Sequence, residues 1–288
     1  KNIAVIGAGL AGITFACKMK EKFDVDVFEK SRVVGGRMST RKEGQFNFDH
    51  GAQFFKIKET SFKNFFSELF EKKVIQPWCF KLAYFEGHHL RKIKVIKNKD
   101  KFFVGVPNMD TILEYLSKKC NVLLNIKVER IIRKNGKWNL FDQNKKSYGP
   151  YDWVILSLPA EQSWELLKKK ISFYPLIKEI KMKGCFTLMV GMNKPFYLSY
   201  EAAVIENQDI AWLAVNNSKP YRMNNHCLLV NSSYEYATKN INTSKNKVLN
   251  HLLNVSSNLI NYELSNSIIT KIHQWRYVEA ECSPIENY

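Results

Sequence analysis

The sequence predicts an α/β protein in which a parallel-sheet nucleotide-binding domain is interleaved with a mixed-sheet α+β domain. Three observations predict it. VIGAGLAG (5–12) sits between a strand-like apolar run and a helix-like run, and Glu29 follows Gly12 by 17 residues at the tip of a second strand-like run. After Pro159 the pattern changes to a succession of strands and one long amphipathic helix. The chain of 288 residues, 45% of them hydrophobic, is long enough for one big core or two interleaved ones.

The elements follow in order. NIAVI (2–6) is a short apolar run suited to a buried parallel strand, LAGITFACKMKEK (10–22) carries apolar residues at helical spacing, and DVDVFEK (24–30) is the second strand. Gly7, Gly9 and Gly12 fall in the intervening turn, where missing side chains permit a tight reversal, close approach of a pyrophosphate and close packing of helix on strand. The helix N-terminus offers N–H groups and a partial positive charge to that pyrophosphate. Glu29 is then placed to accept hydrogen bonds from the adenosine ribose hydroxyls.

FDHGAQFF (48–55) has a strand-like tail, while ETSFKNFFSELFEKK (59–73) and MDTILEYLSKKC (109–120) read as helices. NVLLN (121–125), KVERIIRKNGKWNLFD (127–142) and YDWVILSLP (151–159) read as a strand, a small meander and a buried strand ended by proline. Beyond it, AEQSWELLKKK (160–170) is helical, and CFTLMVGM (185–192), DIAWLAV (209–215) and HCLLVNSS (226–233) are strands. TSKNKVLNHLLNVSSNLIN (243–261) is a long amphipathic helix and IITKIHQWRY (268–277) a final strand. The expected division is a nucleotide-binding domain from 1–57, 102–165 and 269–288, and a substrate domain from 58–101 and 166–268.

Composition narrows the partners. The net charge is +17, but only eight of the 44 basic residues are arginine, so the excess reads as lysine-biased composition more than as a phosphate-reading surface. No nucleic-acid partner is expected. The densest basic stretch, KLAYFEGHHLRKIKVIKNKDK (81–101), is either a solvated face or an attractor for a small anionic substrate. Cys17, Cys79, Cys120, Cys185, Cys227 and Cys282 form no C-x-x-C pair, which argues against a zinc site and a disulfide framework and for mostly buried thiols in a reducing compartment. His50, His88, His89, His226, His251 and His273 share no metal-ligand spacing, so no metal is expected. No run approaches 18 apolar residues and no charged leader precedes KNIAVIG, so the expectation is a cytoplasmic protein without a membrane span.

EKSRVVGGRMST (29–40) carries the argument further. VIGAGLAG, Glu29, GGRMSTR (35–41) and DHGAQFF (49–55) together resemble the flavin-dependent amine-oxidase superfamily, most closely its renalase-like branch. The resemblance implies a Rossmann-like FAD-binding domain of the glutathione-reductase type. It implies that Gly35 and Gly36 open a second turn and that Arg37 grips the FAD pyrophosphate with a fork that lysine could not reproduce. It also implies that Gly51, Ala52 and Gln53 pass beside the isoalloxazine ring, that the Val128 backbone pairs with adenine, and that Leu158 and Pro159 close over the cofactor. The full candidate set is Gly7, Gly9, Ala11, Gly12, Glu29, Lys30, Gly36, Arg37, Met38, Gly51, Ala52, Gln53, Val128, Leu158 and Pro159. Trp212, Tyr234 and Trp275 are candidate aromatic walls of a substrate pocket, or else core residues.

The function so implied is oxidation of dihydro-NAD(P) isomers by hydride transfer to flavin, with O2 reduced to H2O2; no proton-transfer residue is assigned. Two alternatives stand beside it: a flavin oxidase or desaturase of another small molecule, such as an amine, and a non-enzymatic remnant with weakened FAD binding. The last arises because the chain reaches SPIENY (283–288) before the Gly-Asp strand and Glu-Gly-Ala turn that the family carries.

Overall fold

In the computed structural model, which describes residues 1–167, 172, 174–223 and 225–281, NIAVI is the strand around which the first sheet is built, buried from Ile3 to Ile6. Asn2–Ile6 pairs in parallel with Asp24–Phe28 on one side and Trp153–Leu156 on the other, and Asn121–Leu123 extends the sheet beyond Asp24–Phe28. The register aligns Ile6 with both Phe28 and Leu156, so the strand ends that feed the glycine loop, Glu29 and Leu158 lie level. Open parallel sheets bind ligands beyond such carboxyl ends. The helix Leu10–Met19 follows the glycine loop and buries Gly12, Ile13 and Ala16.

The chain divides into two units. The first comprises Lys1–Met38, Leu113–Met182 and Glu279–Tyr288. Besides the parallel sheet it holds the antiparallel meander Val128–Lys134, Lys137–Asp142 and Ser147–Tyr151. Ala4, Ile6, Phe28, Ile131, Leu140, Tyr151, Leu166 and Leu167 form its core, which joins that meander and the helix Ala160–Leu167 to the sheet.

The second unit comprises Ser39–Ile112 and Lys183–Val278. Its seven-stranded mixed sheet runs Ile269–Ala280, Met182–Met192, His226–Ser232, Ile210–Val215, Ala202–Glu206, Phe80–Glu86 and His89–Ile96. Ala202–Glu206 and Phe80–Glu86 are parallel; the other registered neighbours are antiparallel. The helix Lys245–Ile260 turns Val248, Leu252, Ser256 and Leu259 inward, the three- and four-residue spacing of one buried stripe.

Several sequence expectations need correction. Residues 59–73 form two short helices, Thr60–Phe65 and Ser67–Glu71, because Phe66 leaves helical geometry (φ −95°, ψ 5°) and is buried against Phe55, Phe62 and Phe65. The basic stretch 81–101, for which no strands were expected, is largely the hairpin Phe80–Glu86 and His89–Ile96, turned at Gly87 with φ +57°, and its second strand is exposed from His89 to Val95, as a solvated face would be. Of the segment 48–55 only the ends are strand: Phe48 closes Phe46–Phe48, residues 49–54 are irregular, and the strand-like tail reaches strand geometry at Phe55, which opens Phe55–Lys56. The strand Ala202–Glu206 was not legible. Lys168–Lys170 of the expected helix, Cys282 and residues 283–288 lie outside the described residues.

Candidate functional site

In the first unit the two glycine turns meet. Gly7, at φ +106°, donates its N–H to Phe28 O (2.8 Å), and Gly35 donates its own to Ala8 O (3.2 Å). A methyl at Gly36 would lie 3.2 Å from Gly9 Cα, so the second pair packs on the first loop. The three fingerprint glycines are constrained differently. A Cβ at Gly12 would fall 2.0 Å from Gly7 O, and one at Gly7 would fall 2.6 Å from Ser157 O, both impossible contacts. A Cβ at Gly9 would meet nothing within 4 Å. Packing within the protein therefore explains Gly7 and Gly12, while Gly9 keeps open space in front of a helix N-terminus that has no side-chain cap and no acid in its first turn.

Glu29 is buried and organises this loop. Its Oε2 accepts the Ala8 N–H and its Oε1 the Ser31 N–H, each at 2.9 Å. Each oxygen keeps lone-pair capacity for one further donor, such as a ribose hydroxyl. Ile126 donates to Glu29 O (2.9 Å), which brings the chain just before Val128 alongside the acid. Leu158 lies 3.2 Å from a Cβ built at Gly7. Met38 is buried in the short turn Gly36–Met38, whereas Arg37, Lys30 and Ala11 face solvent. Open space, donor N–H groups, no competing acid and a carboxylate with spare acceptors together fit an adenosine diphosphate moiety.

Gly51, Ala52 and Gln53 belong to the second unit, where a charge cluster that sequence reading missed holds their loop. Asp49 is fully buried; its Oδ1 accepts from Thr40 Oγ1 (2.8 Å) and Met109 N–H (3.0 Å). Its Oδ2 accepts from Lys219 Nζ (3.1 Å) and from Arg222 Nε and Nη2 (3.1 and 2.7 Å). Burial alone would push this carboxyl up, but Lys219 and Arg222 outweigh it and hold Asp49 well below the usual carboxylate range. Lys219 is itself fully buried; burial pulls its ammonium down to about 8 while Asp49 opposes the shift. Its Nζ donates to Asp49 Oδ2, Gln53 Oε1 (3.2 Å) and Asn216 Oδ1 (2.8 Å), so three acceptors match three N–H bonds and the pocket is built for the charged form. Gln53 Nε2 returns a bond to Asp49 O (2.6 Å), which commits that side chain to the loop. Arg222 Nη1 also donates to the carbonyls of Gly105 and Pro107.

Next to this cluster stands an aromatic group. The His50 ring stacks on Trp275 (centroids 5.2 Å apart, 29° between planes) and meets His273 edge-on at 4.8 Å. Trp275 Nε1 donates to His50 O at 3.1 Å. Burial, then His273 and Arg41, push His50 down to about 3; burial, Arg41 and Lys245 push His273 down to about 4. Both rings are neutral near pH 7. Trp212 packs on Phe54 at 5.6 Å, so two of the three aromatic candidates line the segment 50–54. Tyr234 opens the helix Tyr234–Asn240 with Lys183 Nζ over its ring at 5.2 Å. Among the described residues no three His, Cys, Asp or Glu side chains are grouped to hold a metal ion, and no helix is long and apolar enough to cross a membrane.

Comparison with known proteins accords with this geometry. Residues 5–69 match the NAD(P)-binding Rossmann-like domain, and residues 75–281 match the flavin containing amine oxidoreductase model. The 4,4'-diapophytoene desaturase (4,4'-diaponeurosporene-forming) of Staphylococcus haemolyticus strain JCSC1435 is 48% identical over 50 residues. Its counterpart in Staphylococcus aureus strain Newman is 45% identical over 51 residues. Each match takes in 17% of this chain and only 10% of the relative's own length. Among solved structures, an oxidoreductase from Methanosarcina mazei superposes with a TM-score of 0.71 at 11% identity, covering 96% of this chain and 89% of that one. A single-substitution variant of putrescine oxidase does so with a TM-score of 0.74 at 11% identity, covering 94% and 84%. At such identity these two likenesses concern the fold alone.

Proposed function

We propose a function from one premise: the chain belongs to the flavin-containing amine oxidoreductase family, whose model covers most of it. The flavin is FAD, and the reaction is oxidation of a small dihydronicotinamide dinucleotide with O2 as the final electron acceptor, as in the renalase-like branch that the motifs resemble. The observation that carries the cofactor reading is Gly9: the one fingerprint glycine that packing leaves open stands before an uncapped helix N-terminus and beside a loop pinned by Glu29. When bound, FAD supplies the hydride acceptor and the route for electrons to O2.

In this reading the residues divide the labour of binding and orientation. The first N–H groups of Leu10–Met19 and the Arg37 guanidinium neutralise the pyrophosphate. Glu29 orients the adenosine ribose, the Val128 backbone meets adenine, and Leu158 and Pro159 cover the strand end. Gly51, Ala52 and Gln53 serve the flavin ring, with Trp212 and Trp275 as aromatic walls on the same segment. A hydride leaves carbon without a protein base, so the neutral His50 and His273 have no proton to move in that step. The corresponding functional domain is 1–57, 102–165 and 269–288, with 58–101 and 166–268 serving the substrate.

Purified protein loaded with FAD should be yellow, bleach without oxygen on addition of dihydronicotinamide isomers, and release H2O2 when air is readmitted. Colourless protein that takes up no FAD would remove the cofactor reading. Bleaching by amines and not by dihydronicotinamides would favour the second reading, an amine oxidase, which the family's own description supports.

A further inference from the structure

Two cysteines that are 103 positions apart in the chain meet in the first unit. Cys17 lies in the helix Leu10–Met19 and Cys120 just before the strand Asn121–Leu123; their Sγ atoms are 3.2 Å apart. That is inside ordinary van der Waals contact for two sulfurs. Both thiols also point at one acceptor, Leu116 O, at 3.5 Å from Cys17 and 3.9 Å from Cys120. Both are half-buried, so small reagents reach them, whereas Cys185 and Cys227 are buried and Cys79 is exposed. A disulfide needs the sulfurs at about 2.05 Å, a further approach of roughly 1 Å.

We propose that Cys17 and Cys120 are a dithiol site that a hydroperoxide oxidises to a disulfide, fastening the helix of the glycine loop to the chain segment that enters Asn121–Leu123. The Cys17 sulfur attacks the peroxide oxygen, the O–O bond breaks, and Cys17 becomes a sulfenic acid as one equivalent of water (or alcohol) leaves. The Cys120 sulfur then attacks the Cys17 sulfur, the S–O bond breaks, and a second water departs. Two thiols lose two electrons and two protons, and one peroxide gains them. The hydrogen bond to Cys17 and partial burial push the Cys120 thiol up. A bridge closing about 100 residues removes much of the unfolded chain's freedom, so the oxidised form melts higher.

The test uses the whole chain, fully reduced, desalted, treated with stoichiometric H2O2 and then alkylated. Peptide mapping by mass spectrometry should recover a Cys17–Cys120 linked pair, with Cys185 and Cys227 as alkylated or buried thiols, and thermal melting should rise by several degrees. Cys79→Ser should leave both results intact. In Cys17→Ser the linked peptide and the melting rise should vanish together, and Cys120→Ser should stop at a sulfenic acid on Cys17 that dimedone traps. Cys17 and Cys120 that stay alkylatable after peroxide, a linkage that goes to Cys79, or a melting rise that persists in Cys17→Ser would each overturn the proposal.

Discussion

Acidification should destabilise the second unit through His50, and the size of the effect follows from its surroundings. The folded state holds His50 neutral down to about pH 3, while an unfolded histidine takes up its proton near pH 6.5. For a base whose folded pKa is depressed, the unfolded state binds more protons between those two values, so stability falls as pH falls through 6.5. The loss grows by about 1.4 kcal/mol per pH unit, which gives about 2 kcal/mol at pH 5 relative to pH 8. His273 adds in the same direction between 6.5 and about 4, but less, since it is more exposed to solvent screening. Urea unfolding of wild type and His50→Gln, followed by tryptophan fluorescence at pH 8, 6.5 and 5, measures the difference. The variant should be less stable than wild type at pH 8 and lose about 2 kcal/mol less on the way to pH 5. Equal pH slopes in the two proteins would mean that His50 takes up its proton in the folded state as easily as in the unfolded one.

Gly9→Ala should fold with an unchanged melting temperature and lose most of its FAD affinity, whereas Gly12→Ala, whose methyl would lie 2.0 Å from a backbone oxygen, should fold poorly; calorimetry and flavin titration separate the two. Arg37→Ala should yield folded but colourless protein, and full FAD retention would count against Arg37 on the pyrophosphate. Asp49→Asn leaves Lys219 and Arg222 buried without their counter-charge and should cost about 3–5 kcal/mol in denaturant unfolding. Duplex DNA should bind weakly and lose most of that affinity near physiological salt, read by titrating a labelled duplex at two salt concentrations.

What could be read from the sequence was local. Strand, glycine turn, helix and acid lie within 29 residues, and Gly7, Gly9 and Gly12 fall between the first strand and the helix with Glu29 just past the second strand because the geometry there is set by near neighbours. The second glycine pair was legible as a motif, though its packing on Gly9 was not. Asp49, Lys219 and Arg222 were illegible for the opposite reason: the acid and its cations are 170 and 173 positions apart, and Lys219 in SKPYR looks like any lysine of a +17 chain. The Cys17 and Cys120 pairing was hidden in the same way, behind a cysteine pattern that spoke against cross-links. Trp212 and Trp275 were chosen as aromatic walls without any sign that both would rest on residues 50–54. The hairpin at 80–96 was masked by lysines, which suit an edge strand as well as a loop.

The knot around Asp49 also has a history in time. A ribosome releases residues at about 5–20 per second, so Asp49 emerges about 10–30 s before Lys219 and Arg222 exist. Through that interval its carboxylate has no cation to meet from this cluster and must stay hydrated, and the loop 49–53 must wait with it. The whole of the first unit's middle segment, 113–182, is synthesised in the meantime. The nascent chain therefore cannot close this charge cluster until Lys219 and Arg222 have been made.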